Sequence, residues 1–376
     1  MCCPRAMEVP SLSWKTVLYD YVHNRSQMEL DYAAAPVLSL VRDEAFAEKL
    51  SLRASRTMLL HMERNLKPLR HETRLKLLAV NEADGHIYAD IEMNRMLQYE
   101  CRSRRSREDR SDRERLQLSF RGGGWIIAKV TPLQTESSRP APWPDSGQED
   151  DAAGMEFGAP IQGNKSRARA GNSYSDVFSV DSEELTVVKS TPFLNNRYVN
   201  SQLEKQRRQI AYDREKVRQY AETWWNGANP QYEHFEVDCS SFVSQCIFAG
   251  EAPMNYTGKR GSGWWYRGKY GYQELWSYSW AVANGLARYL GSKSRVGLSA
   301  EAVDSPRDLE IGDVVSYSWE GGPYQHSTIV TAFDGDGMPL VNAHTVNSRH
   351  RYWDYRDSYA WTERTKYSFY HIADKM

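Results

Sequence analysis

The sequence predicts an α+β fold in which a helix carrying Cys239 packs on an antiparallel sheet, preceded by a smaller α+β unit. Three observations predict it. An amphipathic run starts at Cys239 and stops at Gly250, with Phe242, Val243, Cys246 and Ile247 on one face. Four stretches, 312–319, 327–333, 338–345 and 366–372, alternate apolar and polar residues and are rich in β-branched ones, as antiparallel strands are. Ahead of both lie a helical pattern over 37–65 and alternating segments over 86–100 and 115–136.

Composition divides the chain into residues 1–134, 135–204 and 205–376. In the first part a helical pattern precedes long strands, with Gly122, Gly123 and Gly124 as a tight connection between two of them. That order reads as a curved sheet on a helix, similar to cystatin-like folds at a coarse level, and its expected role is binding or support. Residues 135–175 are rich in Pro, Gly, Ser and charge and read as a linker, followed by one strand-like run at 185–190 and a polar stretch. The third part opens with a helical pattern over 203–227 that ends at Asn226 and Gly227. After the Cys239 helix come a Gly- and aromatic-rich loop over 257–276, a short helix over 279–291 and the four strands.

The bulk properties exclude several function classes. Lys and Arg total 48 against 49 Asp and Glu, so the chain has no overall field for nucleic acid or an anionic membrane. The Arg-rich segment 101–115 interleaves acids with its cations and reads as a solvated loop or helix with local ion pairs. No apolar run approaches the ~18 residues of a spanning helix. The first twenty residues lack a basic segment followed by an apolar one, which predicts a cytoplasmic protein, or a cell-wall or extracellular one if the true start lies elsewhere. Five cysteines, Cys2, Cys3, Cys101, Cys239 and Cys246, form neither a disulfide framework nor a zinc motif. Neither a metal nor a cofactor is predicted. Acylation of the vicinal Cys2 and Cys3 is the less favoured reading of that pair.

The chemistry gathers around Cys239. A thiol attacks a carbonyl as the thiolate, so it needs a base or a positive field nearby. Cys239 follows the extended residues 235–238 and opens a helix, whose N-terminal N–H groups favour negative charge. Ser240 and Ser241 leave room beside the sulfur, and the N–H of Cys239 itself is placed to hold an oxyanion. His326 immediately precedes a strand and is the candidate base. His344 and Asn342 share a face of the next strand, and either is a candidate for the third polar member behind His326.

The run from Tyr212 to Gly250 resembles the opening of the bacterial putative amidase domain family. The matching residues are Arg214, Tyr220, Ala221, Asn229, Pro230, Tyr232, Asp238, Cys239, Ser240, Phe242, Val243, Ser244, Gln245, Ala249 and Gly250. Later family elements correspond to Gly312-Asp313-Val314, to His326 with Ile329 and Val330, and to His344-Thr345. Ser241 and Asp213 stand where the family pattern has Asn, which bears on substrate contact and leaves nucleophile and base intact. The family is similar in residue order to NlpC-type, papain-like cysteine peptidases, which use Cys, His and a third polar residue, usually His. By that likeness His344 is the third member and Asn342 the runner-up. The resemblance implies hydrolysis of an amide or peptide bond, with peptidoglycan stem peptides as the substrate class.

Each residue also has a plainer reading. Cys246 shares the apolar face and is core. Asp238 reads as the helix cap, with Asp238, Asn342 and Gln245 the supporting polar residues around the site. Trp264, Trp265 and Tyr266 form either a flap that stacks on substrate or a plug in the domain's own core. His234, His350 and His371 have no assigned role. Two other function classes compete: a non-catalytic peptide- or partner-binding domain of the same fold, and an acyl transferase that passes the thioester to an amine.

Overall fold

The computed structural model describes residues 13–137 and 210–376. Cys2, Cys3, most of the proposed linker and the run 185–190 lie outside the described residues. The first half opens with α1 (Trp14–Asp31), α2 (Ala35–Leu38) and α3 (Glu44–Glu63). Ser13 caps α1 by accepting from the Lys15 N–H, and Asp43 caps α3 by accepting from the Phe46 N–H. A meander follows: β1 (Leu66–Ala83), β2 (His86–Cys101), β3 (Arg104–Arg121) and β4 (Gly124–Pro132). Its three two-residue turns each hold two residues at positive φ: Asp84 with Gly85, Arg102 with Ser103, and Gly122 with Gly123. That geometry matches the right-handed twist of the strands it joins.

Strand β3 corrects the sequence reading of 101–115 as a solvated loop or helix. Its charges fall at register positions facing opposite charges on β2: Asp90 opposes Arg115 and Glu92 opposes Arg113, and both pairs are closed, at 2.6 and 2.7 Å. Apolar alternation, the usual strand signal, is absent because cross-strand ion pairs take its place.

The second half supplies α4 (Arg214–Trp224), α5 (Cys239–Ala249), a two-stranded hairpin of β5 (Tyr266–Tyr270) and β6 (Gln273–Trp276), α6 (Tyr278–Ala281) and α7 (Ala283–Gly291). Then come β7 (Ala300–Val303), β8 (Val314–Ser318), β9 (His326–Phe333), β10 (Pro339–Ala343), β11 (Asn347–Tyr352) and β12 (Lys366–Ile372). The four expected strands are β8, β9, β10 and β12. Strands β7 and β11 are additions, too short to register as periodic runs. Helix α4 starts later than the 203–227 pattern, because Ala211 bridges to Lys375 and Asp213 caps the helix by accepting from the Lys216 N–H. Among the described residues, no helix is long and apolar enough to cross a membrane.

All strands but β5 and β6 join one sheet, in the order β1-β2-β3-β11-β10-β9-β8-β12-β7, with β4 also on β3. The halves are therefore hydrogen-bonded along β3 and β11, where Asn347, Ser348 and Arg349 pair with Ser111, Arg110 and Asp109. Helices α4, α5 and α7 cover one face of β8 and β9, burying Val217, Phe242, Val243, Ile247, Leu286, Val314 and Ile329. Each large apolar side chain removed from water there contributes about 1.5–3 kcal/mol. The opposite face buries Val315, Tyr317, Trp319, Val330, Val341 and Tyr355. Helices α4 and α5 approach so closely that a Cβ on Gly250 would lie 2.4 Å from Val217 Cγ2, which explains the small residue at the end of α5.

Two buried ionic clamps fix the second half. Asp313, fully buried, accepts from Arg214 Nη1 (2.8 Å), from the Glu310 and Ile372 N–H groups (2.7 and 3.0 Å), and faces His371 Nδ1 (2.8 Å). Arg351 is ion-paired to Glu136 and, at 3.2 Å, to Asp357. Glu136 belongs to the chain just after β4, so the segment expected to begin a linker is anchored at its start. Replacing Glu136 by Ala should cost about 3 kcal/mol, because one carboxylate facing a buried guanidinium is lost. Glu136→Gln should cost less. Urea unfolding of the full chain measures both, and an unchanged midpoint for Glu136→Ala would show that the pair holds nothing.

Candidate active site

The thiol is placed by the first turn of α5. Cys239 is 3% exposed, and its Sγ lies 3.8 Å from Ser240 Oγ, which in turn donates to Ser327 Oγ at 3.3 Å. Burial pushes the Cys239 thiol above its ordinary value. The Ser240 hydroxyl, the Ser327 N–H and the Thr345 hydroxyl pull it back down, while the Asp238 charge pushes it up. The resting sulfur is thus a neutral thiol among hydroxyls.

Asp238 stands at the N-cap position of α5, and its C=O accepts from the Phe242 N–H at 2.8 Å. Its carboxylate makes no capping bond, which corrects the reading of Asp238 as the helix cap. Oδ2 lies instead 2.7 Å from His344 Nδ1. The other ring nitrogen of His344 meets the Trp224 carbonyl at 2.7 Å, and the ring stacks on Phe242 with centroids 3.9 Å apart. Both nitrogens of His344 therefore face oxygen acceptors. The arrangement is satisfied by an imidazolium beside a carboxylate, or by a neutral ring beside a carboxylic acid.

His326 opens β9 directly opposite Tyr317 of β8. Along β9, Ser327 and Ile329 turn toward α5, while Val330 joins the core of the other face. His326 shares that second face, as the two-residue period of a strand requires. It is 1% exposed, in a box of Tyr317, Trp319 and Tyr355 with ring centroids 5.5, 6.0 and 5.2 Å away. Neither ring nitrogen has a hydrogen-bond partner. Burial, helped by Arg351, pushes its pKa down to about 3, so the ring is neutral and keeps an unshared nitrogen lone pair.

The structure thus gathers Cys239, Ser240, Ser327 and Thr345 at one point and His344 with Asp238 next to it. It hydrogen-bonds His326 to neither the thiol nor His344. Asn342 is fully engaged elsewhere: Oδ1 accepts from Thr331 Oγ1 (2.8 Å) and the His350 N–H (2.9 Å), and Nδ2 donates to the Ala221 carbonyl and to Glu222 (both 3.3 Å). It is a strut between β10 and α4. Gln245 accepts from the Tyr220 hydroxyl (2.7 Å) and donates to Ser241 Oγ (3.0 Å), while Asn229 donates to the same Tyr220 oxygen (2.9 Å). Several family-like positions around the thiol therefore form one polar chain that fixes the approach to α5.

Trp264 and Trp265 take the core alternative. They are 0% and 2% exposed, and Trp264 Nε1 donates to Ser244 Oγ at 3.0 Å. Tyr266 is half-buried, with its hydroxyl accepting from the Glu233 N–H. The exposed rings of that region are Tyr270 and Tyr272, at the tip of the β5–β6 hairpin. Among the described residues no three His, Cys, Asp or Glu groups converge as a metal site would require. The residues that sequence reasoning missed are Ser327 and the box, while Thr345 is singled out only as part of the His344-Thr345 element. Tyr317 and Trp319 were visible as alternate positions of one strand, whereas Tyr355 lies in an irregular segment without a periodic signal.

Residues 211–370 match the model of the family described as "Putative amidase domain". The uncharacterized protein YhbB of Bacillus subtilis (strain 168) is 49% identical over 168 residues, which are 44% of this chain and 52% of that protein. The chain thus spans about half the length of the curated relative it matches. A crystal structure of the intermembrane space region of chloroplast protein ARC6 aligns over 33% of this chain and 98% of its own, with 10% identity and a TM-score of 0.26, too loose a likeness to inform the fold.

The unpaired imidazole has a consequence for stability. An unfolded chain protonates His326 below its ordinary value of 6.5, whereas the folded chain resists until about 3. Stability present above pH 6.5 is therefore lost progressively as the pH falls toward 3. His326→Phe should remove this contribution, and at pH 7 it should stabilise by about 1–3 kcal/mol, because a buried polar group without a partner is replaced by an apolar ring. Thermal unfolding from pH 7 to 4 measures both effects. An equally steep decline in the variant would show that the ring is not held neutral.

Proposed function

We propose that the region 205–376 is a cysteine-dependent hydrolase of amide bonds that works through a thioester, with Cys239 as nucleophile and His326 as base. The family match supports amide hydrolysis. The observation that carries the assignment of roles is a buried thiol that opens a helix on one face of β9, with a neutral, fully buried and unpartnered imidazole at the start of that strand on the other face. A buried polar side chain without a partner calls for an explanation, and a reserved proton acceptor is one.

In this reading a rearrangement at the start of β9 brings His326 out of its box and round to Sγ, where it takes the thiol proton as sulfur attacks the carbonyl carbon. The oxyanion forms against the Cys239 N–H at the positive end of α5. Collapse breaks the C–N bond, the amine leaves with the proton from His326, and a thioester remains on Cys239. A water then attacks the thioester, giving its proton to His326, and the acid leaves as the thiol is restored. Because both partners rest neutral, the proton moves during attack, in the manner of a serine hydrolase. His344 acts through Asp238, locking the residue that precedes the nucleophile. A papain-like, NlpC-type order of Cys, His and third polar residue supports peptidoglycan stem peptides as the substrate class.

One observation favours a second reading, a non-catalytic binding domain: Cys239 and His326 are both occluded and make no hydrogen bond to each other. Incubation of the full chain with alanyl p-nitroanilides and with purified muropeptides decides between them. Hydrolysis with an acyl adduct on intact mass is expected. Cys239→Ala should lose on the order of 10³-fold or more, and the double variant with His326→Ala should be no worse than either single one. Absence of both cleavage and adduct in the wild type would leave the binding domain. Capture of the acyl group by added amine would instead identify a transferase.

A further inference from the structure

Behind the box of His326 stands a second layer that comes partly from the first half of the chain. The guanidinium of Arg351, on β11, stacks on the Tyr355 ring 3.8 Å from its centroid. It is held there by Glu136 and Asp357. Glu136 also receives the Ser358 hydroxyl, and its backbone carbonyl accepts from Trp319 Nε1 at 2.8 Å. Asp357 is in turn held by Arg110 of β3, and its carbonyl accepts from Arg53 Nε of α3. Among the described residues, the titratable groups in ring contact with His326 are Tyr317 from β8 and Tyr355 from the segment after β11. One layer out lie Arg351, Glu136 and Asp357. The polar atoms of the box residues are all engaged away from the ring: Tyr317 with Thr328 and the Trp353 carbonyl, Tyr355 with Ser348, and Trp319 with Glu136.

We propose that Arg351, seated by Glu136 from the first half of the chain, is a positioning residue for His326: through Tyr355 it closes the aromatic box and holds the imidazole in its unprotonated form. The inference rests on the proposed role of His326 for its catalytic meaning and on the geometry of the box for its physical content. The Arg351 cation stacks on the same Tyr355 ring that packs against the imidazole, and both the charged and the titratable group are buried, so little solvent screens one from the other. The first half of the chain thereby completes the candidate active site without touching the nucleophile.

The test uses full-length protein labelled in its histidines, with the His326 resonances assigned by their loss in His326→Phe. Wild-type His326 should remain unprotonated down to pH 5. Arg351→Met should raise its proton affinity at least tenfold, so that titration begins within the measured range, while Arg351→Lys should restore wild-type behaviour. Glu136→Gln removes a negative charge beside Arg351 and should leave His326 unprotonated at pH 5. A merely structural seam would loosen and admit water in both Arg351→Met and Glu136→Gln, raising the affinity in each. That result, or no change in Arg351→Met, would overturn the proposal. If Arg351→Met does not fold, Glu136→Gln decides alone: titration of His326 above pH 5 overturns the proposal, and its absence supports it. Iodoacetamide alkylation of Cys239 in the same variants separates the two readings. A His326 shift without a matching change in the pH profile of alkylation keeps the role of Arg351 and removes the functional pairing with Cys239.

Discussion

Arg351 lies under Tyr355 with its guanidinium between Glu136 and Asp357, at the line where β3 of the first half pairs with β11 of the second. Much of the structure is arranged around that buried charge. A guanidinium taken out of water needs matched acceptors, and these come from two places: Glu136 in the chain after β4 and Asp357 in the irregular segment after β11, the latter held in turn by donation from Arg110 and Arg53 of the first half. Such a lattice is weak as a source of net stability, since apolar residues of the same volume can do as well. Its strength is specification, because any other register of β3 on β11 would strand at least one of these charges.

The same seam sets the environment of the site. The sheet presents two faces, and the strand period sends Ser327 to one and His326 to the other. On the helical face the thiol sits among hydroxyls beside the Asp238–His344 pair. On the other face the imidazole sits among aromatic rings that offer it no hydrogen bond. Burial acts on the two groups in opposite senses, raising the thiol and lowering the imidazole, so both rest uncharged. This differs from the thiolate–imidazolium pair expected of an exposed papain-like site. In the proposed reaction, proton transfer is then a part of the attack instead of a precondition for it.

The polar residues near Cys239 show how a family-like motif divides between the candidate site and the architecture around it. Asn342, Gln245, Tyr220 and Asn229 spend their hydrogen bonds on joining α4, α5 and β10. Asp313, from the Gly-Asp element, is a clamp on Arg214 and His371 at the far end of the same helix. Gly312 before it has φ +88, a conformation that a side chain would strain. Their effect is to hold one small sulfur and its helix in a fixed relation to the sheet.

Local pattern alone determined the Cys239 helix with its stop at Gly250, the four main strands of the second half, the Gly122–Gly123 turn and the small number of residues able to act as nucleophile or base. These rest on periods of two and 3.6 and on turn chemistry, which a short window of sequence contains. Tertiary structure decided the rest. Strand β3 was illegible because its pattern is ionic and becomes meaningful only opposite β2. The role of Asp238 depended on His344, 106 residues away, reaching its carboxylate before the helix N–H groups did. The core position of Trp264 and Trp265, the box around His326 and the seat of Arg351 each depend on side chains from elements far apart in the chain. Such contacts are set by how the sheet and helices close on one another, and no periodicity records them.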